Sequence, residues 1–415
     1  MFRRRMLLVL LSTFLLVCLT VHPEIVQSSA ISSSVQDYWP TDGWRTSSPE
    51  EQGIDSSLLD EMMAKIQENS ILIDSLLIAR HGYLVYEKYP RFYYNESRHI
   101  IHSCTKSYTS ALVGIAIEEG YINSINDRLV DLLPNRTIAN LDERKESITL
   151  ENLLTMTSGL EWDEWTYPYE SSQNSLNKMW DASDTVQYVL DLPMSSNPGE
   201  TWAYNSGGSH LLGAVVAEAT GVSLFDYAND RIFAPLGISS SNVYWPRDNQ
   251  GFYLGYGGVE MVPQDMLKFG LLYLKNGTWD GEQIVNAEWV QRSSETLVTF
   301  NDYSGYSYQW WTYQNEVVDF YAAQGFAGQF IMVIPELDMV VVFTSSVPPY
   351  ETYPQTAILM EYIVPAVLGE PSQESFRSDA IILVTLATIS LPVIFGGMYY
   401  RVKVRNWSRG RIERR

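Results

Sequence analysis

The β-rich segments of this chain lie towards the two ends of a long central region, and helical patterns lie between them. Ser75 to Tyr89 reads SLLIARHGYLVYEKY, with β-rich residues on both sides of a His-Gly pair, which predicts a hairpin. Glu316 to Ser346 contains two further β-rich runs, separated by the turn-like PELD. The pattern predicts an α+β fold: an antiparallel sheet built from both ends of the domain, with a mainly helical insertion.

Four segments between these runs have helical patterns, and each of them ends at glycine. They read SYTSALVGIAIEEG, TLENLLTMTSG, SHLLGAVVAEATG and PQDMLKFGLLYLKNG. We therefore place the sheet at about 36–100 and 300–368 and the helical part at about 101–299. The chain has 415 residues, 46% of them hydrophobic, which is ample for a core of this size.

Apolar segments with basic flanks lie at both ends of the chain. The first, within residues 1–30, follows three consecutive arginines and is typical of a signal peptide or of an uncleaved anchor. The second, 380–400, has 21 uncharged residues and would form a helix about 31 Å long, enough to cross a bilayer. A buried core helix is the alternative, but the basic tail at 401–415 favours a transmembrane helix with a cytoplasmic tail. We predict a single-pass membrane protein anchored near its C-terminus, with domain 36–372 outside the cytoplasm.

The charge of the chain excludes some partners. The formal net charge is −21, and ten of the 28 basic residues lie in the first five positions or after Tyr400. The region between is therefore more acidic than the average, which argues against nucleic acid or anionic lipid as its partner. Of the two cysteines, Cys18 lies in the signal region, so Cys104 would have no disulfide partner in the central domain.

A serine and a lysine stand three residues apart at the head of a long apolar run. On a helix, Ser103 and Lys106 would share a face. A serine hydroxyl needs a base to become a nucleophile, and a lysine can be that base if burial makes it neutral. The residues after Lys106 are apolar on nearly all sides of the helix, which indicates a buried helix. A helix-capping serine beside a solvated lysine is the alternative interpretation.

The same spacing recurs at Ser175 and Lys178. The surrounding sequence, YESSQNSLNKMWDASD, is polar and loop-like, so nothing there would desolvate Lys178. Because the spacing arises by chance in a chain this long, only its context distinguishes the two pairs. That context favours Ser103 and Lys106.

Five ordered segments resemble the serine β-lactamase and penicillin-binding-protein superfamily, in particular its esterase and amidase branch, which includes 6-aminohexanoate-dimer hydrolases. The resemblance covers roughly residues 45–368 and rests on HSCTKSYTSALVGIAIEEGYI, ITLENLLTMTSGLEWDE, PGETWAYNSGGSHLLGAVVAEATG, YSYQWW and GFAGQFIMVIPELDMVVVFTSS. It implies a serine hydrolase that cleaves small-molecule or peptide-like esters or amides through an acyl-serine and needs no cofactor. A penicillin-binding D,D-peptidase, a β-lactamase or an inactive binding module on the same scaffold are alternatives.

The resemblance also implies roles for individual residues. Ser103 would be the nucleophile, and Lys106 would assist its deprotonation. Tyr204, in the YNS that matches the second motif of the family, would relay a proton to the leaving group. Ser206 would hydrogen-bond the lysine or the substrate, and the backbone N–H groups of Ser103 and Phe326 would form the oxyanion hole.

The third motif of the family, K-T-G or H-x-G, aligns with Ala323-Gln324-Gly325. Gly325 is present and would let a substrate approach the strand, and Gln324 could contribute an amide hydrogen bond. The cation of the motif is replaced by Ala323. Because relatives place that cation near a substrate carboxylate, its loss puts β-lactamase and carboxypeptidase activity in doubt.

Two further features have weaker patterns. The segment EWDEWTYPYE predicts a loop over the cleft, with Trp165 and Tyr167 as substrate contacts or, equally, as packing residues. His99 and His102 have the spacing of a metal pair, but no Asp, Glu or Cys cluster joins them at ligand spacing, so we predict no metal site.

Overall fold

The computed structural model describes residues 38–348 and 353–369. The predicted N-terminal signal or anchor and the predicted C-terminal transmembrane helix lie outside these residues. Within the described part of the chain, no helix alone is long and apolar enough to span a membrane. One pair separated by a sharp bend, Ser206–Thr220 and Leu224–Phe233, reaches the required length and composition when taken together.

Eight strands form one antiparallel sheet that joins the two ends of the domain. The strands are β1 (Ile73–Arg80), β2 (Tyr83–Lys88), β7 (Val298–Asn301), β8 (Ser304–Tyr306), β9 (Trp311–Tyr313), β10 (Phe320–Gly325), β11 (Gln329–Ile334) and β12 (Met339–Ser345). In spatial order they run β2-β1-β12-β11-β10-β9-β8-β7. The first strand, β1, is thus paired directly with β12, so that strands from both ends of the domain share one sheet, as the sequence predicts. Two small ribbons pair β3 (His99–Ile100) with β4 (Glu260–Met261) and β5 (Thr278–Trp279) with β6 (Glu282–Gln283).

Two turns between neighbouring strands have left-handed residues, one at His81 and Gly82 and one at Ala327 and Gly328. The predicted hairpin is confirmed: β1 and β2 are joined through His81 and Gly82, both with positive φ. The C-terminal region, predicted as two β-rich runs, forms three strands. The first run turns back on itself because Ala327 and Gly328 adopt left-handed φ values of 62° and 90°. The PELD segment forms the next turn, between β11 and β12.

Helices occupy most of the region between the first and last strands. The predicted TLENLLTMTSG helix is shorter than its pattern, because Met156 takes a positive φ of 59° just after the helix ends. The segment around Ser175, predicted as loop-like, contains a six-residue helix capped by Asn174. The α-helices are Ser56–Glu68, Thr105–Glu118, Leu129–Leu132, Glu143–Glu146, Leu150–Leu154, Ser175–Trp180, Thr185–Leu190, Ser206–Thr220, Leu224–Ala228, Pro263–Leu274, Ala287–Ser294, Gln355–Ile358 and Val364–Leu368.

The sheet separates two hydrophobic cores. Successive residues of β1 point to opposite faces: Leu77 lies in the larger core with the inserted helices, and Leu76 lies in the smaller core with the Ser56–Glu68 helix. The Thr105–Glu118 helix is buried along its whole length up to Ala116. Its first turn therefore delivers Lys106 to the edge of the larger core, as its apolar sequence predicts.

Candidate active site

Ser103 lies in the single 3₁₀ turn, His102–Cys104, that leads into the Thr105–Glu118 helix. This turn packs directly against the end of β10. A Cβ added at Gly325 would lie 2.3 Å from the Ile101 carbonyl oxygen and 3.2 Å from the His102 Cβ. Glycine at this position is thus required by the backbone of the chain itself, and the contact holds the Ser103 turn beside the strand end.

Lys106 is 1% exposed and is surrounded by oxygen acceptors. Its Nζ donates to Ser103 Oγ at 2.9 Å, to Ser206 Oγ at 3.1 Å and to the Tyr256 carbonyl at 2.9 Å. Burial lowers the pKa of Lys106 to about 8, against the opposing attraction of the Glu164 carboxylate. A lysine with this pKa is partly neutral near pH 7, and its nitrogen is in hydrogen-bonding contact with the hydroxyl that it would deprotonate.

Tyr204 lies against the same two residues. Its ring centroid is 4.8 Å from Lys106 Nζ, and its side chain is 9% exposed. Burial raises the pKa of Tyr204 well above its usual value, although a side-chain hydrogen bond with Ser103 acts in the opposite direction. The phenol is therefore protonated at neutral pH, as a proton donor to a leaving group must be.

Ser206 connects this group to a buried carboxylate that the sequence analysis did not single out. Glu164 is 4% exposed and accepts from Ser206 Oγ at 2.7 Å and from Ser206 N at 3.0 Å. It also accepts from Trp162 Nε1 at 2.9 Å and from Tyr169 OH at 3.3 Å. Four donors thus converge on one carboxylate at the edge of the site.

The sequence held only a partial signal for Glu164. Its segment was identified as a loop over the cleft, but that segment contains several acids, and irregular backbone has no period that shows which side chain points inward. The structure decides the matter through the start of the Ser206–Thr220 helix, where Ser206 offers two donors to a single acceptor.

The two aromatic candidates of this loop differ in position. The ring of Trp165 stacks on Tyr204 with centroids 5.4 Å apart and an angle of 19° between the planes. Tyr167 is 38% exposed, and its backbone carbonyl accepts from Asn174 Nδ2. Tyr169, which was not a candidate, packs its ring edge on Phe326 at 5.3 Å. The loop thus contacts Tyr204 through Trp165 and Phe326 through Tyr169.

Phe326 follows β10 directly and begins the turn that faces Ser103. The rings of His102 and Phe326 are in edge contact at 5.5 Å, so the two backbone segments predicted to form the oxyanion hole are neighbours. Gln329 Nε2 donates to the Phe326 carbonyl at 3.2 Å and steadies the turn. Gln324 is half-buried, and its Oε1 accepts from Tyr313 OH at 2.9 Å.

The two histidines with metal-like spacing have separate environments. His99 Nε2 lies 2.9 Å from Asp74 Oδ2. The other carboxylate oxygen of Asp74, Oδ1, forms an ion pair with Arg91 at 2.8 Å. His102 faces Phe326, and burial, together with His99 and Lys106, lowers its pKa to about 4. Within 38–348 and 353–369, no three His, Cys, Asp or Glu side chains are grouped so that they could hold a metal ion.

Comparison with known proteins defines the class. Residues 57–363 match the family described as Beta-lactamase, so the chain belongs to that family. It is 24% identical over 297 residues to a 6-aminohexanoate-dimer hydrolase from Paenarthrobacter ureafaciens, covering 67% of this chain and 74% of that protein. It is 25% identical over 268 residues to penicillin-binding protein 4 from Amycolatopsis lactamdurans, covering 56% and 68%.

Comparison of the fold with solved structures points to the same class of proteins. The structure of EstCE1, described as a hydrolase with promiscuous acyltransferase activity, superposes with a TM-score of 0.61 at 16% identity, covering 76% of this chain and 98% of that one. The prediction of a β-lactamase-related serine hydrolase is therefore confirmed at the level of the family.

Proposed function

We propose that this protein hydrolyses neutral ester or amide bonds through an acyl-serine formed on Ser103. The observation that carries the proposal is the buried Lys106, whose nitrogen lies 2.9 Å from Ser103 Oγ and whose pKa is lowered to about 8. The family match supports a hydrolase, as do the names of two similar proteins, a 6-aminohexanoate-dimer hydrolase and a hydrolase with promiscuous acyltransferase activity.

The proposed acylation uses three side chains. Ser103 Oγ attacks the substrate carbonyl while its proton passes to neutral Lys106. The backbone N–H groups of Ser103 and Phe326 stabilise the negative charge that develops on the carbonyl oxygen. Tyr204 gives a proton to the leaving alcohol or amine, and the Lys106 ammonium then returns the proton taken from Ser103 to the Tyr204 phenolate. Water then attacks the acyl-serine and gives a proton to neutral Lys106. Lys106 passes this proton to Ser103 Oγ as the ester bond breaks, and the acid is released.

Among the described residues, an alanine occupies the position at which the third family motif has a cation, which supports a neutral substrate. Ala323, which stands at the cationic position of the third family motif, is fully buried. His102 cannot replace the cation near pH 7, because its pKa is lowered to about 4. A substrate carboxylate placed there would lose its hydration without gaining a partner, which is costly. The alanine at this position therefore disfavours penicillins and peptides that end in D-Ala-D-Ala as substrates.

Matched substrates test the proposed charge preference. An ester substrate that bears a free carboxylate and its methyl ester analogue differ by one charge. The methyl ester is expected to have the higher kcat/KM, by on the order of tenfold, since the acid has no charge-assisted hydrogen bond to gain. Because Ala323 is enclosed, a lysine introduced there would test folding as much as charge, so the comparison is made on the substrate. Faster turnover of the acid would contradict the proposal.

Covalent labelling distinguishes an enzyme from an inactive binding module. A fluorophosphonate has no charged group and transfers its phosphonyl group to an activated serine with loss of fluoride. The purified protein is expected to be labelled at Ser103 and then to turn over members of a panel of esters, amides and lactams. A protein that is folded but is neither labelled nor active would favour the binding module.

The location is a separate part of the proposal. The two apolar segments and their basic flanks support a protein anchored near its C-terminus, with the hydrolase domain outside the cytoplasm. Protease added to intact cells is expected to degrade the domain and to spare an epitope placed after Arg415. Protection of the domain together with cleavage of the epitope would show that the orientation is the opposite one.

A further inference from the structure

We propose that Glu164 is a positioning residue for the lysine base: acting through Ser206, it directs the lone pair of neutral Lys106 at the Ser103 hydroxyl and stabilises the ammonium that forms during acylation. This inference rests on the proposed function. It assigns to the loop carboxylate a role that lies outside the serine, lysine and tyrosine of the predicted site.

The hydrogen bonds around Glu164 fix the direction in which the Ser206 hydroxyl points its proton. Both of its oxygens face donors: Oε2 accepts from Ser206 N and Trp162 Nε1, and Oε1 accepts from Ser206 Oγ and Tyr169 OH. A carboxylate surrounded in this way is an acceptor only. The Ser206 hydroxyl therefore gives its single proton to Glu164, at 2.7 Å.

The second step concerns what is left for Lys106. A neutral amine has two N–H groups and one lone pair. The Tyr256 carbonyl, at 2.9 Å, can only accept, and the Ser206 oxygen, at 3.1 Å, is also restricted to accepting because its proton is on the side of Glu164. These two acceptors take both N–H groups. The lone pair then faces the third neighbour, Ser103 Oγ at 2.9 Å, which is the geometry that proton abstraction needs.

The third step is electrostatic. When Lys106 takes the serine proton, a positive charge appears at a residue that is 1% exposed. Water cannot solvate that charge well, but the Glu164 carboxylate lies one hydroxyl group away. The same attraction opposes the effect of burial on the pKa of Lys106. Removing the negative charge should therefore lower the pKa of Lys106 and also weaken it as a base.

The pH dependence of the site can be assigned to one group. Five titratable side chains face Lys106. His102 and Cys104 belong to the Ser103 turn and Glu164 to the loop. Tyr204 lies just before the Ser206–Thr220 helix, and Tyr256 follows Gly255. Burial raises the pKa of the cysteine and of both tyrosines above their usual values and lowers that of His102 to about 4. Between pH 5 and 10 the ionisation that controls acylation is thus that of Lys106.

The test measures the rate constant of fluorophosphonate labelling from pH 5.5 to 10, which requires no knowledge of the natural substrate. The wild type is expected to lose rate on the acid side with a midpoint near pH 8. In Glu164→Gln the midpoint should move down by about one pH unit or more, and the rate at pH 9.5 should fall on the order of tenfold. The two curves should approach each other at low pH, where the variant retains more neutral lysine.

Three further variants separate positioning from loop anchoring. Glu164→Asp keeps the charge and should keep the midpoint close to that of the wild type. Tyr169→Phe removes one hydrogen bond to Glu164 but leaves its charge, so it should also keep the midpoint. Glu161→Gln removes an exposed carboxylate from the same loop and should leave both midpoint and rate unchanged.

The outcomes are distinct. If Glu164→Gln lowers the labelling rate by the same factor at every pH and keeps the midpoint of the wild type, the inference is overturned. Glu164 would then serve only to anchor the loop. If this variant does not fold, Ser206→Ala takes its place. This change keeps the Glu164 carboxylate but removes the hydroxyl that links it to Lys106, so the labelling rate at pH 9.5 should fall on the order of tenfold. An unchanged rate would overturn the inference. Failure of the proposed function is recognised separately, by a wild type that is not labelled or by labelling that survives Ser103→Ala.

Discussion

The molecule contains two serine–lysine pairs with the same spacing, and their surroundings differ completely. Lys106 is buried and donates to Ser103 Oγ at 2.9 Å. Lys178 is exposed, and Ser175 Oγ instead accepts from the backbone N–H of Asp163 at 2.9 Å. Both lysines belong to helices, so secondary structure does not separate the pairs. What separates them is whether the helix enters the core, because burial lowers the pKa of a lysine and so makes it available as a base.

The second pair supports the first through its helix cap. Asn174, which caps the Ser175–Trp180 helix, is fully buried. Its Nδ2 donates to the backbone carbonyls of Glu164 at 3.0 Å and of Tyr167 at 2.8 Å. The helix that carries Ser175 and Lys178 therefore holds the loop that brings Glu164 towards Ser103 and Lys106.

The largest expected effect comes from the two serines. Ser103→Ala should reduce the fluorophosphonate labelling rate on the order of 10⁴-fold or more, because the atom that forms the covalent bond is gone. Ser175→Ala should retain labelling within about twofold and lower Tm by a few degrees, since the Asp163 N–H loses its acceptor. Labelling and thermal unfolding of the two purified variants check both outcomes. Labelling that persists in Ser103→Ala would erase the distinction between the pairs.

The two lysines provide the next test. Lys106→Met should lower the labelling rate on the order of 10²- to 10⁴-fold, because the general base is removed while the stem that fills the core is largely kept. Lys178→Met is the matched control, with the same substitution at an exposed position, and its rate should be that of the wild type. Circular dichroism of both variants excludes unfolding as the cause. Equal losses in the two would show that burial is not what distinguishes the pairs.

A smaller and continuous effect is expected from pH. Since Lys106 must be neutral to accept the serine proton and its pKa is about 8, labelling should slow about tenfold for each pH unit below pH 7 and level off above pH 9. The profile of Lys178→Met should follow that of the wild type. An acid-side midpoint near pH 10.5, the ordinary range of lysine, would show that the core does not desolvate Lys106.

The smallest expected effect is on stability. Asn174→Ala should lower the free energy of unfolding by about 2 kcal/mol, since a helix cap and two hydrogen bonds to the loop are lost. Asn177→Ala, in the same helix, should cost about 0.5 kcal/mol or less, because its hydrogen bond to the Glu170 carbonyl is long, at 3.5 Å. Denaturant unfolding measures both. Equal stability of the two variants would remove the proposed support by the second pair.

Local patterns predict the elements of this fold better than their ends. The His81-Gly82 hairpin follows from β-rich runs around a two-residue turn. The turn at Ala327 and Gly328 was not predicted, because a left-handed alanine leaves no mark in composition. The helix around Ser175 was also missed, since its polar sequence resembles a loop, and its cap, Asn174, is stabilised by distant carbonyls.

The sequence by itself determined the class of the protein, the Ser103–Lys106 pair and the burial of the helix that follows it. These features depend on neighbours in the chain: a spacing of three residues, a run of apolar side chains and an ordered set of motifs. Only the tertiary structure decided that Glu164, 61 positions after Ser103 in the printed chain, meets Ser206 and faces Lys106 through it. The physical reason is that the direction of a hydrogen bond depends on which donors surround the acceptor in space. The donors to Glu164 come from its own loop and from the start of the Ser206–Thr220 helix, which are far apart in sequence.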